Sequence, residues 1–269
     1  MIIIKKKTKF SKKENRMKIV TNVNEARKIF FSNKSRNLKF LLKNRYDWIN
    51  SQIETSEIGI EFGAGAGFSK FFIINKNFKI SDNSYYDFLD IKNLNALETH
   101  FKSETFDFIV CINVIHHLSS PIKFLKEMHR ILKSNGKLFI FEPYMSVIFQ
   151  IILILMKHEN FNFDENVWDE NKKMSKENDL FDSNAAIPNL LFDDKEKFNK
   201  YFEDYYQIEK DCLSEFLVLI NSGGVISKTY FIPLNKYFLK LFYYIDKILI
   251  FFFPKIFAMG RKIILRKKL

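Results

Sequence analysis

The stretch from Ile58 to Gly67 constrains this chain more than any other: an apolar run ends in Glu61 and passes straight into Gly63, Gly65 and Gly67 at alternate positions. A backbone without Cβ atoms can turn sharply and bring its N–H groups against a ligand, as nucleotide-binding turns between a strand and a helix require. A dinucleotide fingerprint spaces its glycines G-x-G-x-x-G and places its acid about 20 residues on. Here the spacing is G-x-G-x-G, and an additional acid stands two residues before the first glycine. A nicotinamide oxidoreductase is therefore the less favoured reading of the turn.

A second stretch, Phe106 to Pro143, reads as buried strand, polar loop, amphipathic helix, glycine turn and buried strand. Phe108 to Ile112 is a short apolar run bounded by polar residues, the pattern of a parallel strand covered on both faces. Ile122, Leu125, Met128, Ile131 and Leu132 recur at helical spacing, with Lys123, Lys126, Glu127 and Arg130 elsewhere on the helix. Gly136 stands where that helix is expected to stop, and Leu138 to Phe141 supply the next strand.

In order and wording these two stretches resemble motif I and the fourth-strand, helix and fifth-strand region of the class I S-adenosylmethionine-dependent methyltransferases. The resemblance implies an α/β fold: a three-layer, Rossmann-like, seven-stranded sheet of order 3-2-1-4-5-7-6 with strand 7 antiparallel. It implies S-adenosylmethionine as cofactor, with Glu61, Gly63, Ala64, Gly65 and Gly67 enclosing its methionine end. Asp82 follows the Phe78 to Ser81 strand, nineteen residues beyond Gly63, and is expected to take the ribose hydroxyls. Tyr86 to Asp90 is expected to be the third strand, with Asp90 near the adenine and Asp87 as the alternative acid. Asn113, in the loop after the fourth strand that faces the transferable methyl in this family, is also expected to contact the cofactor.

A sulfonium makes its methyl group electrophilic by itself, so the protein's task is to hold an acceptor in line at roughly 3 to 3.5 Å. A hydroxyl acceptor also benefits from a general base, and the same loop carries His116 and His117. Neighbours in a turning segment point to different sides, so one of the pair is expected to reach the pocket. His117 matches the histidine that recurs in the family's loop and is the candidate, set against a purely packing role. Glu142, at the end of the fifth strand, is the second catalytic candidate.

The formal charge of +12 is unevenly spread. Residues 1–50 carry fifteen Lys/Arg against three Asp/Glu, and from Pro254 onward there are six basic residues and no acid, which leaves a mildly acidic middle. Basic ends suit nucleic acid, an anionic membrane surface or plain solvation. Nucleic-acid methylation is not expected: the loop reads Asn113-Val-Ile-His116 rather than Asn/Asp-Pro-Pro-aromatic, and Cys111 follows Val110 rather than proline. Cys111 and Cys212 imply no disulfide framework, which fits a reducing cytoplasm.

The expected organisation is a disordered basic arm over 1–18, a helical extension over 19–57, the cofactor-binding core over 58–143, a helix and acidic aromatic lid over 144–205, and a sheet-completing region over 206–269. The extension, with Arg45, Tyr46 and Trp48, is expected to cover the cofactor cleft. Met145 to Met156 is too short to span a bilayer and reads as a covered or interfacial helix. His158 and Glu159 form a metal-capable pair, but no third ligand stands at a zinc spacing, and no metal is expected. Tyr206 to Lys210 and Arg261 to Arg266 read as the sixth and seventh strands. Phe238, Leu241, Phe242, Ile245, Ile248, Leu249 and Phe252 mark one face of an aromatic helix, either a core face or a surface for peripheral docking on an anionic membrane. His158-Glu159-x-Phe161, the Ser183 to Pro188 run, Phe192 followed by acids, and Ser222-Gly223-Gly224 together resemble a bacterial branch of this superfamily associated with envelope polysaccharide and lipid pathways. The expected activity is therefore O-methylation of a small or lipid-linked glycan-type acceptor, with N-methylation or a cofactor-binding scaffold without turnover as alternatives. The sequence leaves the oligomeric state open.

Overall fold

The computed structural model describes residues 2–16, 18–19, 23–175 and 182–269. Its strands are β1 (Lys18–Ile19), β2 (Gly59–Phe62), β3 (Phe78–Ile80), β4 (Phe106–Ile112), β5 (Leu132–Pro143), β6 (Tyr206–Ser214), β7 (Ser227–Lys228) and β8 (Gly260–Lys267). Its α-helices are α1 (Val23–Phe31), α2 (Arg36–Asn50), α3 (Pro121–Ile131), α4 (Val147–Met156), α5 (Ile187–Phe192), α6 (Lys195–Tyr201), α7 (Leu217–Ile220), α8 (Lys236–Phe252) and α9 (Pro254–Phe257).

The main sheet has six strands in the order β3-β2-β4-β5-β8-β6. Pairing is parallel from β3 through β5, while β8 runs antiparallel to both β5 and β6. Side chains alternate between faces along each strand. Ile60, Phe62, Ile109, Cys111, Leu138 and Ile140 accordingly pack in one core with α3 and α5. Phe108, Val110 and Phe139 pack in the other with α1 and α2. Helices thus cover both faces, and the three-layer expectation holds.

The seven-stranded order needs correction. Residues 86–90 form no strand, and what remains at that edge is a single parallel bridge between Ser81 and Ile91. The reason is burial: Leu89 is buried, but Asp87 and Asp90 are exposed, and the segment lacks the two covered faces that a further parallel strand needs. The helix before β5 also stops earlier than expected, at Ile131, and Asn135 rather than Gly136 adopts the left-handed conformation (φ 62°).

The N-terminal arm is not disordered over its described residues. Thr8 is buried, its N–H donates to Phe161 O (2.8 Å) and its hydroxyl accepts from Phe161 N (3.0 Å). Ile4 N–H donates to the Gln150 side chain on α4, which in turn donates to Ile2 O.

Of the two readings of the aromatic face of α8, the core face is not the one found. Leu239, Asp246 and Ile250 point inward, whereas Phe238, Leu241, Ile248 and Phe252 are exposed. Asp246 sets this rotation by accepting the N–H groups of Phe216, Leu217 and Val218 at the start of α7. An acid that satisfies orphan helix-start donors is held inside, and the aromatic side of α8 turns outward with it.

Candidate active site

β2 delivers Glu61 and the glycine turn together. Gly63 and Gly67 both adopt φ 67°, and a Cβ on Gly63 would lie 2.4 Å from Val114 Cγ2. The turn is thus closed to any side chain on the side of the post-β4 loop. Glu61 is buried behind it, accepting from Ser69 Oγ and lying 3.5 Å from Tyr46 Oη. Burial, reinforced by the nearby Asp82 charge and opposed by the Ser69 and Tyr46 hydrogen bonds, raises its pKa to about 7.

β3 brings Asp82 to the same turn. Its Oδ2 accepts the Gly65 N–H at 2.9 Å, and its Oδ1 accepts Ser84 N–H at 2.8 Å. Ala64 N–H donates to Ser81 O, which ties the turn to the end of β3. Glu61, Gly63, Ala64, Gly65, Gly67 and Asp82 therefore lie together at this turn. Asn113, with φ 55°, follows β4 and donates its N–H to Phe141 O. Asp90 does not join them as a free acid: its carboxylate accepts from Lys70 Nζ (2.5 Å) and from Ile80 N–H (2.8 Å).

The helical extension does reach this turn, through Tyr46 and through residues of α1 that the sequence did not single out. Arg27 donates to Ala66 O (2.5 Å) and lies over the Phe88 ring, while Phe30 stacks on Phe68. Ile226 Cδ1 would lie 3.4 Å from a Cβ on Gly65. Of the three aromatic and basic residues singled out on α2, Tyr46 faces Glu61, but Trp48 packs on Phe139 and Arg45 forms a buried ion pair with Glu215 (2.8 Å).

The second half of the site lies beyond β4 and β5. Glu142 is fully buried and does not face an open pocket. Its Oε1 accepts the N–H groups of Val114 and Ile115 (both 2.8 Å), and its Oε2 meets His116 Nδ1 at 2.5 Å. It is a positioning residue that fixes the loop. His116 and His117 do not diverge: their ring centroids are 4.1 Å apart. A short 3-10 turn over Ile115–His117 folds both rings to one side. Burial opposes charge on His116, but Glu142 outweighs it and raises the imidazolium pKa. Burial and the neighbouring His116 lower that of His117 to about 3. Glu159, from the insertion, comes within 3.8 Å of His116 Nε2, and His158 Nε2 lies 3.7 Å from Glu159. No spacing in the chain assembles this cluster. Its signals were two separate pairs, His116 with His117 and His158 with Glu159.

Comparison with known proteins adds the following. Residues 70–140 match a family described as "Methyltransferase domain". An uncharacterized protein of Methanocaldococcus jannaschii is 39% identical over 90 residues, covering 28% of this chain and 37% of that relative. A SAM-dependent methyltransferase from Archaeoglobus fulgidus superposes with TM-score 0.49 at 14% identity, covering 85% of this chain and 93% of its own. One from Methanosarcina mazei gives 0.46 at 15%, covering 83% and 98%. The matched segment is a class I methyltransferase domain, and the methyl donor of such a domain is S-adenosylmethionine.

Proposed function

We propose that the chain uses this domain to methylate a hydroxyl of a small or lipid-linked glycan-type acceptor. The observation that carries the cofactor half is the convergence of buried Glu61 and strand-tip Asp82 on one glycine turn. The turn fits the donor: Gly63 allows close backbone approach, Glu61 suits a cationic neighbour, and Asp82 lies where ribose hydroxyls would compete for its oxygens. When bound, S-adenosylmethionine supplies an electrophilic methyl on a sulfonium. The chain's own residues orient it, exclude water and hold the acceptor. The Asn113 to His117 loop, locked by Glu142, borders the turn through Val114 and is the side from which an acceptor would be presented.

The lipid-linked reading draws on the outer surface. No helix among the described residues is long and apolar enough to cross a membrane. Yet Phe238, Leu241, Ile248, Phe251 and Phe252 of α8, and Ile151 and Leu155 of α4, are exposed. Ile2, Ile3 and Ile4 are exposed beside α4, and the lysines of the arm follow them. Exposed aromatic and aliphatic side chains flanked by lysine match an anionic bilayer surface.

Calorimetry with S-adenosylmethionine, its demethylated product and NAD tests the donor. Binding of NAD alone would refute the reading. Tight donor binding with no transfer of labelled methyl to envelope-precursor extracts would leave a scaffold. Vesicles of phosphatidylcholine with and without phosphatidylglycerol test the surface, with co-sedimentation expected on the anionic set at low salt. Equal failure on both sets would remove the membrane component.

A further inference from the structure

The cluster beyond the glycine turn contains more than a general base requires. Among the described residues, donor atoms of His116, His117 and Glu159 all lie within 4.8 Å of one another. Glu142 occupies the Nδ1 side of His116, which leaves Nε2 directed at the Glu159 carboxylate 3.8 Å away. When His116 gives up its second proton and keeps Nδ1–H on Glu142, Nε2 offers a lone pair toward that carboxylate, and a metal ion between them would take the place of the imidazolium proton. His117 Nδ1 is shielded from solvent and has no hydrogen-bond partner among the described residues. A buried nitrogen without a partner is costly unless something satisfies it.

We propose that His116, His117 and Glu159 form a binding site for one divalent transition-metal ion of the Zn2+ class. The donor set is two imidazoles and a carboxylate, which selects zinc-like ions over magnesium or calcium, both of which prefer oxygen. Zinc bonds to nitrogen and oxygen run about 2.0–2.2 Å, so the three donors close by roughly 1 Å around the ion. Three protein ligands leave a fourth tetrahedral position for water or an oxygen of a bound molecule, the arrangement that zinc enzymes keep open. Glu142 supplies the carboxylate behind His116 that fixes its tautomer, as metal-bound histidines ordinarily have. His158 flanks Glu159 on its other oxygen. The ion would join the loop after β4 to the insertion, two segments more than forty residues apart. The site stands on its own donors and does not depend on the activity proposed above.

The test uses the full chain, stripped with EDTA and titrated with Zn2+ against a chromophoric chelator, with Co2+ as a spectroscopic probe. One equivalent bound below micromolar concentration, and visible Co2+ bands of four-coordinate intensity, are expected. His117→Ala and Glu159→Gln should each weaken binding by about 100-fold, and His100→Ala, on the exposed surface, should leave it unchanged. Thermal melting in EDTA identifies any variant that fails to fold. If His117→Ala does, the near-isosteric Glu159→Gln decides. Wild-type protein that takes up no zinc at micromolar concentration, or equal affinity in wild type and Glu159→Gln, would overturn the site. Calorimetry with S-adenosylmethionine on the same stripped protein separates this failure from failure of the methyltransferase reading.

Discussion

Replacing Glu61 by glutamine should have opposite effects on folding and on donor binding, both set by one buried carboxyl group. Its pKa rises from 4.5 to about 7 in the folded protein, mainly through burial. A shift of that size corresponds to about 3 kcal/mol between the two protonation states. The folded value lies above the unfolded one, so the contribution to stability is fully present below pH 4.5 and is lost as pH rises through about 7. Glu61→Gln cannot ionise. Without ligand it should match the wild type within about 1 kcal/mol at pH 5 and exceed it by about 3 kcal/mol at pH 8. In urea melts, that is a midpoint higher by roughly 1 M at pH 8 only. Donor binding should show the reverse. A cationic ligand beside Glu61 favours the ionised form, so binding at pH 6 releases close to one proton, and little at pH 8. Calorimetry in two buffers of different ionisation enthalpy reads this directly, and in Glu61→Gln the dependence should vanish while affinity falls. Parallel stability losses in both proteins between pH 5 and 8, or buffer-independent heats for the wild type at pH 6, would refute the reasoning.

Gly63→Ala places a Cβ 2.4 Å from Val114 at φ 67° and should abolish donor binding, with a stability loss of about 1–3 kcal/mol by chemical denaturation. Arg45→Ala leaves Glu215 buried and unpaired and should cost about 3–5 kcal/mol, whereas Arg45→Met with Glu215→Leu should recover most of it in a double-mutant cycle. Phe251→Asp with Phe252→Asp alters side chains that are 79% and 65% exposed, so the melting temperature should hold while anionic-vesicle binding is lost.

How much could be read in advance depended on whether one segment or several fixed the outcome. The glycine turn, Glu61 and Asp82 lie on two consecutive strands whose apolar runs end where the acids begin, so local pattern sufficed. The third strand failed because Tyr86 to Asp90 has alternation but no second covering layer, and burial rather than propensity decides an edge. The sidedness of α8 stayed open in the sequence because Asp246 looks like a surface charge there, and only the α7 N–H groups that it accepts show why it turns inward. His116 and His117 were expected to diverge as neighbours in an extended chain do, but the 3-10 turn brought their rings together. Glu159 reaches them by tertiary packing alone, which no spacing rule detects.

That packing assigns a role to the arm. Thr8 and Phe10 hydrogen-bond Phe161 and Asn160, and the Asn15 side chain donates to His158 O (3.4 Å). These partners surround Glu159 in sequence, so the arm buttresses the segment that delivers the acid to the histidine pair. The glycine turn contacts α1 and Ile226 instead, with no arm residue in its hydrogen bonds among the described residues. A chain begun at Met17 should therefore bind S-adenosylmethionine within about threefold of the full-length protein, while amide exchange at Asn160, Phe161 and Asn162 accelerates by at least about tenfold as local opening becomes easier. Retained protection at those amides would show that the insertion holds its own shape, whereas equal loss of donor affinity would show that the two halves of the site fold as one unit.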